Sequence, residues 1–174
     1  MAELLAARLI RDVPDFPKPG ILFKDITPVL ADPLAMHEVM ARFTEFAAAR
    51  KPDLVIGIES RGFVLGMPLA LGLNVGFVPV RKLGKLPYSK INEQYALEYG
   101  TNTVEIHDDS VKAGQRVLIV DDLLATGGTA AAAARLVDRL GGVVCGFSFL
   151  VELAFLNGRD ALKGYDIQSL IVFD

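Results

Sequence analysis

The chain has 174 residues, 52% of them hydrophobic, and a formal net charge of -3 from 18 basic and 21 acidic side chains. That length suits a single domain over residues 1–174 with a sizeable core. Without a run of lysines or arginines, a sequence-independent grip on nucleic acid is excluded, and any anionic ligand must be met locally.

In chain order, "MAELLAARLIRDVP" sets Leu5 and Leu9 one turn apart and predicts a short docked helix that stops at Pro14. It has neither the charge order nor the cleavage site of a signal peptide. "DPLAMHEVMARFTEFAAAR" predicts a helix with Asp32 as N-cap, Pro33 at its first position, and Met36, Val39, Met40, Phe43 and Phe46 on one face. Strand "DLVIGIE", helix "RGFVLGMPLALG" and strand "VGFVPV" follow. Gly62 to Val80 carries no charge and is about long enough for a bilayer, but Gly66, Pro68, Gly72, Asn74, Gly76 and Pro79 divide it into a buried helix and strand. From Arg81 to Gly114 the pattern turns polar, and "YALEYGTNTVEIH" alternates as a small hairpin around Gly100. "RVLIVDD" reads as strand, "GTAAAAARLVDRLGG" as helix and "VVCGFSFLVEL" as a buried strand. Cys145, the only cysteine, lies in that last strand; no disulfide framework or cysteine zinc site is available, and a reducing cytoplasm fits. Short apolar strands alternating with helices define an α/β fold, doubly wound, with a mainly parallel central sheet covered by helices on both faces.

Such sheets bind ligands at the carboxyl ends of their strands. Two strand-to-helix junctions stand out. In "VIGIESRGF", Glu59, Ser60 and Arg61 follow an apolar strand, and Gly62 permits a close approach at the next helix; alone, the segment reads better as a solvated turn whose arginine pairs with a surface carboxylate. In "VLIVDDLLATGGT", a Gly-rich turn meets a helix N-terminus, a cradle for one phosphate group with Thr126 and Thr129 as added hydroxyl donors. Asp121 and Asp122 would repel phosphate but accept well from vicinal sugar hydroxyls. The blander alternative is that the aspartates end a strand and Gly127 and Gly128 cap a helix. A side chain at Gly127 is expected to crowd the phosphate and leave the fold intact. Neither G-x-x-x-x-G-K-[ST] nor a G-x-G-x-x-G after a strand occurs, which removes the signatures of nucleotide triphosphatases and dinucleotide enzymes.

"VLIVDDLLATGGT" closely resembles the phosphoribosyl-pyrophosphate signature of the type I phosphoribosyltransferases. The chain as a whole is similar to the adenine-using members of that family, with "DFPKPGILFKDITPVL", "GIESRGF", "VRKLGKLP" and "YALEYG" in the family's order and spacing. The resemblance implies that Asp121 and Asp122 hold the ribose hydroxyls, and that Ala125, Thr126, Gly127, Gly128 and Thr129 bind the 5′-phosphate. It implies pyrophosphate contacts from Glu59, Ser60 and Arg61, with a cis peptide before Ser60, and from Arg81, Lys82 and Lys85, with Arg81 offered across a homodimer interface. A proline-rich hood over about residues 13–30 would stack Phe23 on adenine while the backbone of Leu22 and Lys24 reads its edge. Where the hypoxanthine-guanine relatives carry an aspartate this chain has Ala125, so Glu98 is expected to handle the purine proton, with Tyr99 beside the reacting centre; in isolation Glu98 would read as an exposed hairpin carboxylate. The implied activity joins adenine to phosphoribosyl pyrophosphate, giving AMP and pyrophosphate, with Mg2+ held mainly by the substrate and water and a lid over about residues 83–106. Two rivals remain: a transferase for another base, opposed by Ala125 and the hood, and a DNA-bound regulator, opposed by the negative charge and by the domain filling the chain.

Overall fold

The computed structural model describes residues 3–96 and 101–174. Two compact units emerge, residues 1–42 and 43–174, and the boundary falls inside one long helix.

In the first unit, helix α1 (Leu5–Leu9) ends sooner than its sequence suggests, because Arg11–Pro14 is extended as strand β1 and pairs antiparallel with β2 (Leu22–Asp25). Val13 faces Phe23 across this ribbon, and Asp12 faces Lys24, whose Nζ lies 2.6 Å from the Asp12 carboxylate. A short helix α2 (Thr27–Ala31) precedes α3 (Pro33–Arg50). The predicted cap is present: Asp32 Oδ1 accepts from the backbone N–H groups of Leu34 and Ala35, both at 2.9 Å, satisfying two donors that no preceding turn can reach. The fully buried stripe of α3 is Ala35, Val39, Phe43 and Ala47, with Met36, Met40 and Phe46 half-buried beside it.

The second unit is built on a seven-stranded sheet of order β5-β6-β4-β3-β7-β8-β9. β3 (Leu54–Ile58) is buried at every position, α4 (Arg61–Leu73) crosses over, and β4 (Gly76–Lys82) returns parallel to β3. β5 (Lys90–Ala96) and β6 (Thr101–His107) form an antiparallel hairpin that joins the sheet through β4. The described part of the stretch expected to close as a lid is largely strand, with β5 at the sheet's edge, and within β5 the Glu93 carboxylate meets Arg135 at 2.6 Å and Arg139 at 3.1 Å. β7 (Arg116–Leu124) runs parallel between β3 and β8, α5 (Gly128–Arg139) follows, and β8 (Val143–Leu153) pairs with β9 (Ile167–Phe173). Two 3-10 turns, Ala154–Leu156 and Gly158–Leu162, connect the last two strands.

The alanine run of α5 explains its packing: Ala130, Ala132, Ala133 and Ala134 are buried, and their small side chains let the helix lie close to the sheet face carrying Ile56, Ile58, Val117 and Ile119. The β7–β8 register slips between Val117 and Leu118, so that Val117 pairs with Val144 and Leu118 with Gly146, and Cys145 is passed over. Cys145 is consequently half-buried at a bulge rather than enclosed in a regular strand, and burial pushes its thiol pKa up.

Candidate active site

β3 and β7 are neighbours, yet their crossover helices lead in opposite directions, α4 toward β4 and α5 toward β8. That divergence opens a crevice beyond the strand ends, the place where doubly wound sheets bind ligands. The register Gly57↔Val120 brings the two junctions singled out above side by side. They share a cavity of about 250 Å³, lined by Glu59, Ser60 and Arg61 from one and Asp121, Asp122 and Thr129 from the other.

Arg61 Nε donates to the Asp122 carboxylate and so ties the end of β7 to the start of α4. Asp122 is buried and needs such a partner. Asp121 Oδ1 accepts from the Asp122 N–H at 2.9 Å; burial, and then the adjacent Asp122 carboxylate, push its carboxyl well above the usual range. Two adjacent acids beside Arg61 leave an acceptor-rich corner suited to sugar hydroxyls. Gly62 does approach something closely, but it is protein: a Cβ there would stand 2.6 Å from the Val120 carbonyl oxygen, so the glycine lets α4 start against β7.

The Glu59–Ser60 peptide is cis, as the resemblance implied. Glu59 itself faces inward. Its carboxylate accepts from the Lys82 N–H at 2.9 Å and lies 3.3 Å from Arg81 Nε and 3.4 Å from Lys85 Nζ. Burial pulls its pKa up, but these donors outweigh burial and hold the carboxyl below its ordinary value. Glu59 therefore gathers Arg81 and Lys85 around its carboxylate. Arg81 also donates to the Lys85 carbonyl at 2.7 Å, so within this chain its guanidinium is engaged locally.

A second, smaller cavity of about 80 Å³ runs along Ala125–Thr129 to Phe149. The N-cap of α5 is Gly127, with no side chain capping the helix, and its first residues Gly128, Thr129 and Ala130 line this hollow. Gly127 has φ +79°, and a Cβ would collide with the Gly158 carbonyl oxygen. A side chain here would thus disturb the fold itself, contrary to the sequence expectation.

Sequence reasoning missed Tyr95 and Asn102, cross-strand partners in the β5–β6 hairpin that both line the larger cavity. The hairpin's alternation was visible, but its register was not. Leu22, Phe23 and Lys24 form β2 of the first unit, where Phe23 meets Phe16 edge-on at 5.2 Å. Glu98 and Tyr99 lie outside the described residues. Among the described residues no group of three or more His, Cys, Asp or Glu could hold a metal, and no helix is long and apolar enough to cross a membrane.

The family pattern of the phosphoribosyl transferase domain matches residues 32–156. An adenine phosphoribosyltransferase of Thermoanaerobacter sp. (strain X514) is 58% identical over 165 residues, 95% of this chain and 95% of its own. The solved adenine phosphoribosyltransferase of Thermoanaerobacter pseudethanolicus matches with a TM-score of 0.94 at 56% identity, covering 97% of this chain and 98% of that one. The enzyme of Saccharomyces cerevisiae, solved with adenine and an imino-altritol bisphosphate, matches with a TM-score of 0.90 at 41% identity, over 95% and 96% of the two chains. The chain belongs to the adenine phosphoribosyltransferases, within the phosphoribosyl transferase domain family.

Proposed function

We propose that the chain transfers the phosphoribosyl group of 5-phosphoribosyl 1-pyrophosphate to adenine, releasing AMP and pyrophosphate. The observation that carries this reading is the junction of β3 and β7, where an acidic corner adjoins a cation-bearing loop on one side and an uncapped helix start on the other. One sugar with two phosphate-bearing ends matches that order of charges. The anomeric carbon exchanges its bond to pyrophosphate for one to a purine imidazole nitrogen, which sheds its proton. Asp121 and Asp122 hold the ribose hydroxyls, and the Ala125–Thr129 loop holds the 5′-phosphate. Ser60, Arg61, Lys82 and Lys85 meet the departing pyrophosphate, with Glu59 and Arg81 positioning them. Glu98 takes the purine proton with Tyr99 near the reacting centre, while Phe23, Leu22 and Lys24 hold the base, in keeping with the adenine in the yeast relative.

Mg2+ fits this donor set as an ion carried by substrate and water, since of the three acids lining the larger cavity Glu59 is engaged by Lys82, Arg81 and Lys85, which leaves Asp121 and Asp122. When bound it would neutralise charge on the leaving pyrophosphate. A homodimer is supported by the exposed apolar face of α4, with Val64, Met67 and Leu71 at 47%, 46% and 73% exposure. The single, half-buried cysteine suits a cytoplasmic location.

Incubation with adenine, phosphoribosyl pyrophosphate and Mg2+ tests the assignment by the appearance of AMP. Hypoxanthine and guanine present the opposite edge pattern, at a cost of about 1–3 kcal/mol for each buried group left unpaired, so adenine should win by orders of magnitude. Comparable turnover of hypoxanthine would overturn the assignment.

A further inference from the structure

The phosphate loop rests on a support that nothing in the loop provides. A Cβ on Gly127 would collide with the Gly158 carbonyl oxygen and stand 2.9 Å from Ala161 Cβ. Reciprocally, a Cβ on Gly158 would collide with the Ala125 carbonyl oxygen and stand 2.9 Å from Leu124 Cδ1. The loop and the 3-10 turn Gly158–Leu162 therefore meet backbone on backbone, and each sets the height of the other.

A five-residue turn does not hold its own position, so the ties that fix it matter. One is Leu162, fully buried in the core. The other is Arg159, next to Gly158, whose Nε donates to Glu152 Oε1 at 2.8 Å and Nη2 to Oε2 at 2.7 Å. This two-pronged geometry fixes both direction and distance, which a single contact does not. Glu152 is itself buried within β8, with Val172 of β9 as its cross-strand neighbour. The Arg159 guanidinium, against the opposing effect of burial, holds the Glu152 carboxyl below its ordinary value, so the pair is charged through the physiological range.

We infer that the Glu152–Arg159 pair is a positioning device for the phosphate loop: it fixes the Gly158 backbone on which Ala125–Gly127 lie, and so sets affinity for the substrate's phosphate without touching it. The inference rests on the reading that this loop holds the 5′-phosphate. Arg159 and Glu152 are positioning residues, and their loss should act on one substrate only.

The test measures kcat and both KM values for Arg159→Lys, Arg159→Met, Glu152→Gln and the Arg159→Met/Glu152→Gln double variant, with Thr126→Val as a direct probe of the loop. Lysine keeps the charge but not the fork. KM for phosphoribosyl pyrophosphate should rise roughly tenfold in Arg159→Lys, the scale of one charge-assisted hydrogen bond, while kcat and KM for adenine stay near wild type. The double variant should be no worse than the poorer single, because the two side chains act as one unit. Should Arg159→Met not fold, Arg159→Lys carries the comparison. An unchanged KM for phosphoribosyl pyrophosphate in Arg159→Lys, or a rise in both KM values together, overturns the positioning role. If Thr126→Val weakens phosphoribosyl pyrophosphate and Arg159→Lys does not, this inference alone fails. If neither does, the assignment of the loop to the phosphate fails with it.

Discussion

Gly127→Ala separates backbone strain from crowding, and Gly114→Ala supplies the control. Both glycines sit in the left-handed region, at φ +79° and +81°. Each alanine variant carries the conformational cost of that region, about 1–2 kcal/mol. Only at Gly127 is the space taken: the new Cβ would run into the Gly158 carbonyl and Ala161, whereas nothing lies within 4 Å at Gly114. Overpacking of this kind costs typically 1–3 kcal/mol. At about 2–4 °C per kcal/mol for a chain of this size, Gly127→Ala should melt roughly 2–12 °C below Gly114→Ala. Thermal unfolding followed by calorimetry, with wild type alongside, reads the difference directly. Phosphoribosyl pyrophosphate affinity should fall in Gly127→Ala and hold in Gly114→Ala, because only the first displaces the loop. Equal melting temperatures for the two variants would refute the crowding argument and leave φ as the sole reason for glycine at 127.

Glu98→Gln should lower kcat by roughly 10²–10⁴-fold with KM for phosphoribosyl pyrophosphate nearly unchanged, the range expected of positioned acid–base catalysis; a retained kcat would pass the proton to water or to the leaving pyrophosphate. The Glu59 carboxyl is held below its ordinary 4.5 in the folded chain, so its stabilisation is complete above 4.5 and is lost as pH falls through the folded value. Melting temperature should therefore drop less steeply with acid in Glu59→Gln than in wild type, and parallel acid limbs would contradict the cation-gathering role. Asp121 acts in the opposite sense: its raised carboxyl contributes stability below its ordinary 3.8 that is lost as pH rises through the folded value, so Asp121→Asn should gain stability at neutral pH relative to acid. A stability difference from wild type that does not vary with pH would refute this.

Elements with local signals are legible in the amino-acid sequence alone. Asp32–Pro33 announces α3 because a cap and a pre-set φ act within one turn, and the apolar runs of β3, β7 and β8 announce a parallel sheet because strands covered on both faces have no polar alternation. The β1–β2 ribbon escapes because its four-residue strands pair only with each other and none of their residues is fully buried, so no periodicity marks them, and Arg11–Pro14 reads as a helix tail. "VLIVDDLLATGGT" and "GIESRGF" each carry their chemistry in residue type and order: acids for hydroxyls, glycines at a helix start, an arginine after a strand. Their meeting does not lie in either segment. Arg61 and Asp122 are 61 residues apart and touch only because β3 and β7 pair in parallel with their crossovers running opposite ways. Likewise the two uses of glycine, Gly62 against Val120 and Gly127 against Gly158, look alike in sequence as open approaches to a ligand. Local composition determines what a segment can offer, and close packing between segments distant along the chain decides which of those offers face the ligand and which are filled by protein.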